Sequence, residues 1–86
     1  MLTDPIVIVG AARTPMGGLL GDFAGMAAPQ LGSVALDAAV SRARLKPEDI
    51  ENVVMGCVLP AGQGQAPARQ AALGAGMPKS TGCTTI

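Results

Sequence analysis

Two cysteines, one glycine-punctuated turn and two isolated arginines are the residues of this 86-residue chain whose types and placement could carry chemistry. Cys57 and Cys83 are nucleophile candidates by type. A reactive cysteine, however, needs its thiolate favoured by a helix N-terminus, a cation or a histidine. Cys57 lies inside the apolar run Val53-Val54-Met55-Gly56-Cys57-Val58-Leu59, and Cys83 is followed by two threonines rather than by glycine and a helix. Both therefore read as small hydrophobes. The chain contains no histidine, so it cannot by itself build a Ser-His-Asp triad, a Cys-His pair or a histidine metal site.

The segment Gly62-Gln63-Gly64-Gln65-Ala66-Pro67 approaches G-x-G-x-x-G, the loop that lets backbone amides meet a pyrophosphate at a helix N-terminus. Pro67 stands where the third glycine belongs and removes one donor. An acidic residue expected about 20 positions on is absent from Lys79 to Thr85. A tight strand-to-helix connection is the better reading. Arg13 and Arg69 interrupt small-residue segments, where an arginine clamps an anion or makes a structural contact. The structural role is favoured for both.

These residues need elements to hold them. Ile6-Val7-Ile8-Val9, between Pro5 and Gly10, predicts a strand buried on both faces. Glycines to Gly25 keep the next stretch a loop, and a helix is expected from about Pro29 to Arg44. Its polar residues Ser33, Asp37, Ser41 and Arg44 share one stripe, so the helix should be buried on more than one side. Lys46-Pro47-Glu48-Asp49 opens a short helical turn. A strand over Val53–Leu59 follows, its Gly56 marking a bulge or close packing. A helix then begins at Pro67 and stops with Gly76 at C′ and Pro78 beyond. Gly82 to Ile86 reads as a third strand. Alternation of this kind predicts an α/β fold with a largely parallel or mixed sheet.

Composition narrows the class. Six Lys+Arg balance six Asp+Glu, and Phe23 is the single aromatic residue, so neither a basic footprint nor a stacking surface exists for nucleic acid. With 49% hydrophobic residues and a mean hydropathy of +0.42 the chain is too apolar for intrinsic disorder. Its apolar content is dominated by small side chains, which suit close packing inside a larger assembly better than a self-sufficient core. Met1–Asp4 carries no basic leader, and the apolar stretch Ile6–Ala12 is far shorter than the ~20 residues of a bilayer span. The reading is of a soluble, cytoplasmic chain with free thiols and no membrane partner.

Two stretches resemble the thiolase family, the acetyl-CoA C-acetyltransferases and 3-ketoacyl-CoA thiolases. Val9-Gly10-Ala11-Ala12-Arg13-Thr14-Pro15-Met16-Gly17 is similar to the N-terminal strand signature of that family. Val54 to Leu73, running M-G-C-V-L-P-A-G-Q-G-Q-A-P-A-R-Q-A-A-L from Met55, is similar to a second and highly specific one. Two departures are Ala66, where the family often has asparagine, and Cys57, where it often has asparagine or glutamine. The resemblance covers essentially the whole chain, which it identifies as an incomplete N-terminal portion, residues 1–86, of the thiolase N-terminal domain.

The resemblance implies a fold and an activity. The fold is the first part of the thiolase fold, βαβαβ in this segment, with the remainder of the enzyme outside the chain. The intact enzyme would join or cleave acyl-CoA thioesters, most simply two acetyl-CoA to acetoacetyl-CoA and CoA. It would use two cysteines, a histidine and oxyanion holes. No metal or redox cofactor is implied. The acylated cysteine is expected four residues past Ile86, with the histidine and second cysteine much farther on, so no catalytic residue falls in this chain and the segment alone is expected to be inactive. Gln65, Arg69 and Gln70 are the expected buried polar or interface contacts. Homodimers or homotetramers are the expected assembly. Alternatives are a non-catalytic thiolase-like lipid-transfer or scaffold protein and a Rossmann-type nucleotide-binding module.

Overall fold

The computed structural model describes residues 5–86; Met1–Asp4, read above for a leader, lie outside them. Helix α1 spans Ala28–Arg42, and a single 3-10 turn covers Pro47–Asp49. Strand β1 (Asn52–Met55), helix α2 (Pro67–Gly74) and strand β2 (Gly82–Thr85) complete the order. The two strands pair in parallel, with Asn52 opposite Gly82 and Met55 opposite Thr85. Two further bonds carry the ladder past the strand ends: Ile86 N–H to the Met55 carbonyl at 2.9 Å and Cys57 N–H to the Ile86 carbonyl at 2.8 Å. A β-α-β unit is the heart of the segment. Among the described residues no helix is long and apolar enough to cross a membrane.

The core is built from small residues. Ala68, Ala71, Ala72 and Ala75 of α2 and the turn after it are buried, with Val53 and Met77; Leu36, Val40, Ile50, Met55 and Cys83 pack around them. Each buried methyl contributes only about 0.8 kcal/mol, so the packing has to be close. Glycine provides that closeness between the helices. A Cβ on Gly32 would stand 2.9 Å from Met55 Cε and 3.1 Å from Ala71 Cβ, and one on Gly74 would collide with the Ser33 hydroxyl. That hydroxyl lies 2.9 Å from the Pro29 carbonyl of its own helix and 3.0 Å from the Ala71 carbonyl across the interface. Its one proton joins the two helices. Ser33 therefore faces α2, not the polar stripe expected for it, while Asp37 and Ser41 do face solvent.

Both helices end on the same hydrogen-bond pattern. After α2, Gly76 (φ +91°) donates to the Leu73 carbonyl and Met77 to the Ala72 carbonyl, the Schellman arrangement expected from the Gly76 stop signal. After α1, Arg44 donates to Ser41 and Leu45 to Val40, but the left-handed residue is Arg44 at φ +59°. This is why the helix stops at Arg42 rather than at Arg44. The short turn after Lys46 holds as expected, with the Lys46 N–H donating to Asp49 Oδ2 at 2.9 Å.

Three expectations need correction. Ile6–Val9 forms no strand, and its residues are 61% to 101% exposed. A strand buried on both faces needs partners on each side, and the described residues supply none. Helix α1 is less deeply buried than expected: only Pro29 and Gly32 are buried, Val34 is 57% exposed, and its half-buried residues lie against α2 and, at Ala39 and Ala43, against Gly10. Strand β1 ends at Met55 rather than at Leu59, so Gly56 marks the end of a strand and not a bulge within one; Val58 and Leu59 are exposed.

Two outcomes follow for stability, both read by chemical denaturation of the protein that carries this segment. Gly74→Ala lowers stability by about 1–3 kcal/mol despite alanine's better helix propensity, because the added methyl has no room. Ser33→Ala in that background restores part of the loss. Arg44→Gly and Ala66→Asn each raise stability by about 0.5–1 kcal/mol, since Ala66 also sits at positive φ, +46°, where glycine and asparagine are at ease.

Candidate functional site

The carboxyl ends of β1 and β2 and the amino ends of α1 and α2 meet at one place. A cavity of about 40 Å³ lies there, lined by Pro29, Met55, Cys57, Pro67, Ala68 and Thr85 among others. In parallel α/β sheets this is the end at which ligands and reacting groups gather. No charged side chain lines it, and among the described residues no group of three or more His, Cys, Asp or Glu is placed to hold a metal.

The loop between β1 and α2 closes this end through two glutamines. Gln70 of α2 donates both protons of its amide, to the Gln63 carbonyl at 2.8 Å and the Gln65 carbonyl at 2.7 Å. A Cβ on Gly64 would stand 2.9 Å from the Gln70 amide nitrogen, so glycine there keeps the loop within reach. Gln63 in turn accepts the Ala28 N–H of α1 on its Oε1 at 3.0 Å, while Gln30 Oε1 takes the Ala27 N–H at 2.7 Å. The loop is thereby tied to both helices.

The start of α2 has an unusual cap. Its N-cap residue, Ala66, has no side-chain acceptor, and Pro67 has no N–H. The Ala68 N–H is satisfied from a distant strand, by Thr85 Oγ1 at 3.1 Å. A helix N-terminus is favourable for anions when its donors are free. Here one donor is missing and another is already bonded to a neutral hydroxyl, which leaves the nucleotide-loop reading of Gly62–Pro67 without its main contact.

Gln65, Arg69 and Gln70, the expected buried polar or interface contacts, are all exposed, so none is a buried contact among the described residues. On α2, Ala68, Ala71 and Ala72 point into the core while Arg69 and Gln70 point away, and Gln65 lies in the loop before the helix. Gln70 organises the loop, Gln65 contributes a backbone carbonyl to it, and Arg69 reaches only the Lys79 carbonyl at 3.4 Å. Arg13 bonds the adjacent Thr14 carbonyl at 3.1 Å and, among the described residues, holds no distant group. The two cysteines are free and half-buried, Cys57 at the cavity and Cys83 against the core. Sequence reasoning missed Gln63, Thr85 and Arg42, whose guanidinium pins the N-terminal segment at the Ala11 carbonyl at 2.9 Å. Gln63 stood between two glycines as a signal; Thr85 gave none, because its partner is 17 residues away.

Comparison with known proteins gives one consistent result. The family model described as thiolase, N-terminal domain, matches residues 6–86. The cytosolic acetyl-CoA acetyltransferase ERG10 of Gibberella zeae is 55% identical over 82 residues, 95% of this chain and 21% of that protein. Acetyl-CoA acetyltransferase 2 of Arabidopsis thaliana is 57% identical over 81 residues, 94% of this chain and 20% of that protein. The crystal structure of Acat5 thiolase from Ascaris suum in complex with coenzyme A superposes with a TM-score of 0.90 at 38% identity, over 92% of this chain and 21% of that one. The chain thus spans about a fifth of the length of these relatives. Its β-α-β unit, its signature residues and the matched family model agree: the chain belongs to the thiolase family.

Proposed function

We propose that the protein carrying this segment is an acetyl-CoA acetyltransferase, which condenses two acetyl-CoA to acetoacetyl-CoA and CoA and runs the reaction in reverse as thiolysis. The observation that supports it most is the unbroken agreement over residues 6–86 with the thiolase N-terminal domain, among relatives named for this activity. In the forward direction a cysteine sulfur attacks the thioester carbonyl of the first acetyl-CoA, and CoA leaves as its thiol. Loss of a methyl proton from the second acetyl-CoA gives a carbanion. That carbon attacks the acyl-enzyme carbonyl and expels the cysteine, which ends with the proton lost from the methyl group and is a thiol again, so acetoacetyl-CoA is released.

Residues 1–86 are, in this proposal, the opening portion of the N-terminal domain and supply position rather than acid or base. The cavity lining holds no histidine, carboxylate or lysine, and in this proposal the nucleophile lies outside the segment. The substrates are CoA thioesters. The exposed face bearing Gln65, Arg69 and Gln70 is offered as a contact surface between subunits of a homodimer or homotetramer. A cytoplasmic location belongs to the same proposal; relatives bear cytosolic and mitochondrial names alike, and fractionation of expressing cells decides it.

The test uses the full-length protein with acetyl-CoA. Acetoacetyl-CoA should form, and mass spectrometry of the quenched enzyme should find one thiol heavier by an acetyl group. Binding of CoA thioesters without either product would instead favour a non-catalytic relative.

A further inference from the structure

The geometry points to Thr85 as a positioning residue for the acyl transfer, an inference that rests on the function proposed above. Among the described residues its hydroxyl is the single side-chain link between the carboxyl end of β2 and the amino end of α2: Oγ1 accepts the Ala68 N–H at 3.1 Å. The helix depends on that link because its own N-cap position cannot serve. Ala66 carries no acceptor and holds a left-handed backbone at φ +46°.

The same strand end is fixed from the other side by the bonds between Ile86, Met55 and Cys57. The Thr85 hydroxyl thus links two of the elements that meet at the cavity, and the backbone of its neighbour Ile86 ties them to a third, β1. Reacting groups of parallel α/β proteins are built at this end of the sheet, and small displacements of them are costly: a misplacement of about 1 Å can cost on the order of a hundredfold in rate. A hydroxyl that sets the distance from strand end to helix start therefore acts on turnover more than on substrate binding, although it touches no substrate itself.

The experiment is steady-state kinetics of acetoacetyl-CoA formation by the full-length protein and its variants Thr85→Val, Thr85→Ser and Thr85→Val with Ala66→Asn, with thermal unfolding of each. Valine keeps the shape and removes the acceptor. The expected result is a loss of about tenfold in kcat for Thr85→Val with the KM for acetyl-CoA changed less than twofold, and near-normal kcat for Thr85→Ser. Adding Ala66→Asn to the valine variant should raise the unfolding temperature by relieving the strained backbone while kcat stays low, because the tie to the strand is still missing. The inference is overturned if Thr85→Val keeps at least half the normal kcat, if serine fails to rescue it, or if the double variant regains turnover together with stability. An inactive but folded wild-type protein would overturn the proposed function instead, so the two failures are distinguishable.

Discussion

Everything in the segment depends on how closely α1 can approach α2. With alanine and glycine at the contact there is little apolar area to release, and the interface gains stability only if the two backbones come near enough for methyl groups to touch backbone. Gly32 and Gly74 permit that distance, and the Ser33 hydroxyl links the helices across it. Had the interface carried leucines, the helices would stand farther apart and the start of α2 would not meet both the Thr85 hydroxyl and the Gln63 loop. The small-residue composition is thus the condition for the site, since the ends of four elements converge on one cavity only at this spacing.

Polar groups then finish what packing begins. The loop and helix ends are held by side chains that substitute for absent backbone partners: Gln70 for the loop carbonyls, Gln63 for the first amide of α1, Thr85 for the second amide of α2. No buried side-chain nitrogen or oxygen among the described residues lacks a partner. None of these groups is charged. Rigidity comes from neutral hydrogen bonds, which titration near neutral pH does not disturb.

Much of this was legible in the sequence. Pro67 and Gly76 bracket α2 because proline and glycine report local backbone demands, and those are written at one position. The parallel pairing followed from alternation of β and α runs. What failed was whatever depended on partners elsewhere. Ile6–Val9 has the composition of a central strand, but a run of β-branched residues states only that it wants neighbours, not that the described residues hold them. The stripe of Ser33, Asp37 and Ser41 was a correct spacing with a wrong inference, because one small hydroxyl can turn inward where a carboxylate cannot. Thr85 was invisible for the opposite reason: a threonine in a strand needs no explanation until a distant amide is found against it. The departure at Ala66 was visible as a missing asparagine, and its meaning appeared only with the backbone angle.

The open ridge of Ile6–Val9 has a consequence for the segment's behaviour in solution. Among the described residues these four consecutive β-branched residues stand exposed and pair with no strand, and an exposed run of this kind is a template on which another extended chain can add. The run is shorter than the six or seven residues from which dry, interdigitated fibrils are made. Arg42 tethers the backbone just beyond this ridge, at the Ala11 carbonyl, and so limits how far it can swing toward a neighbouring chain.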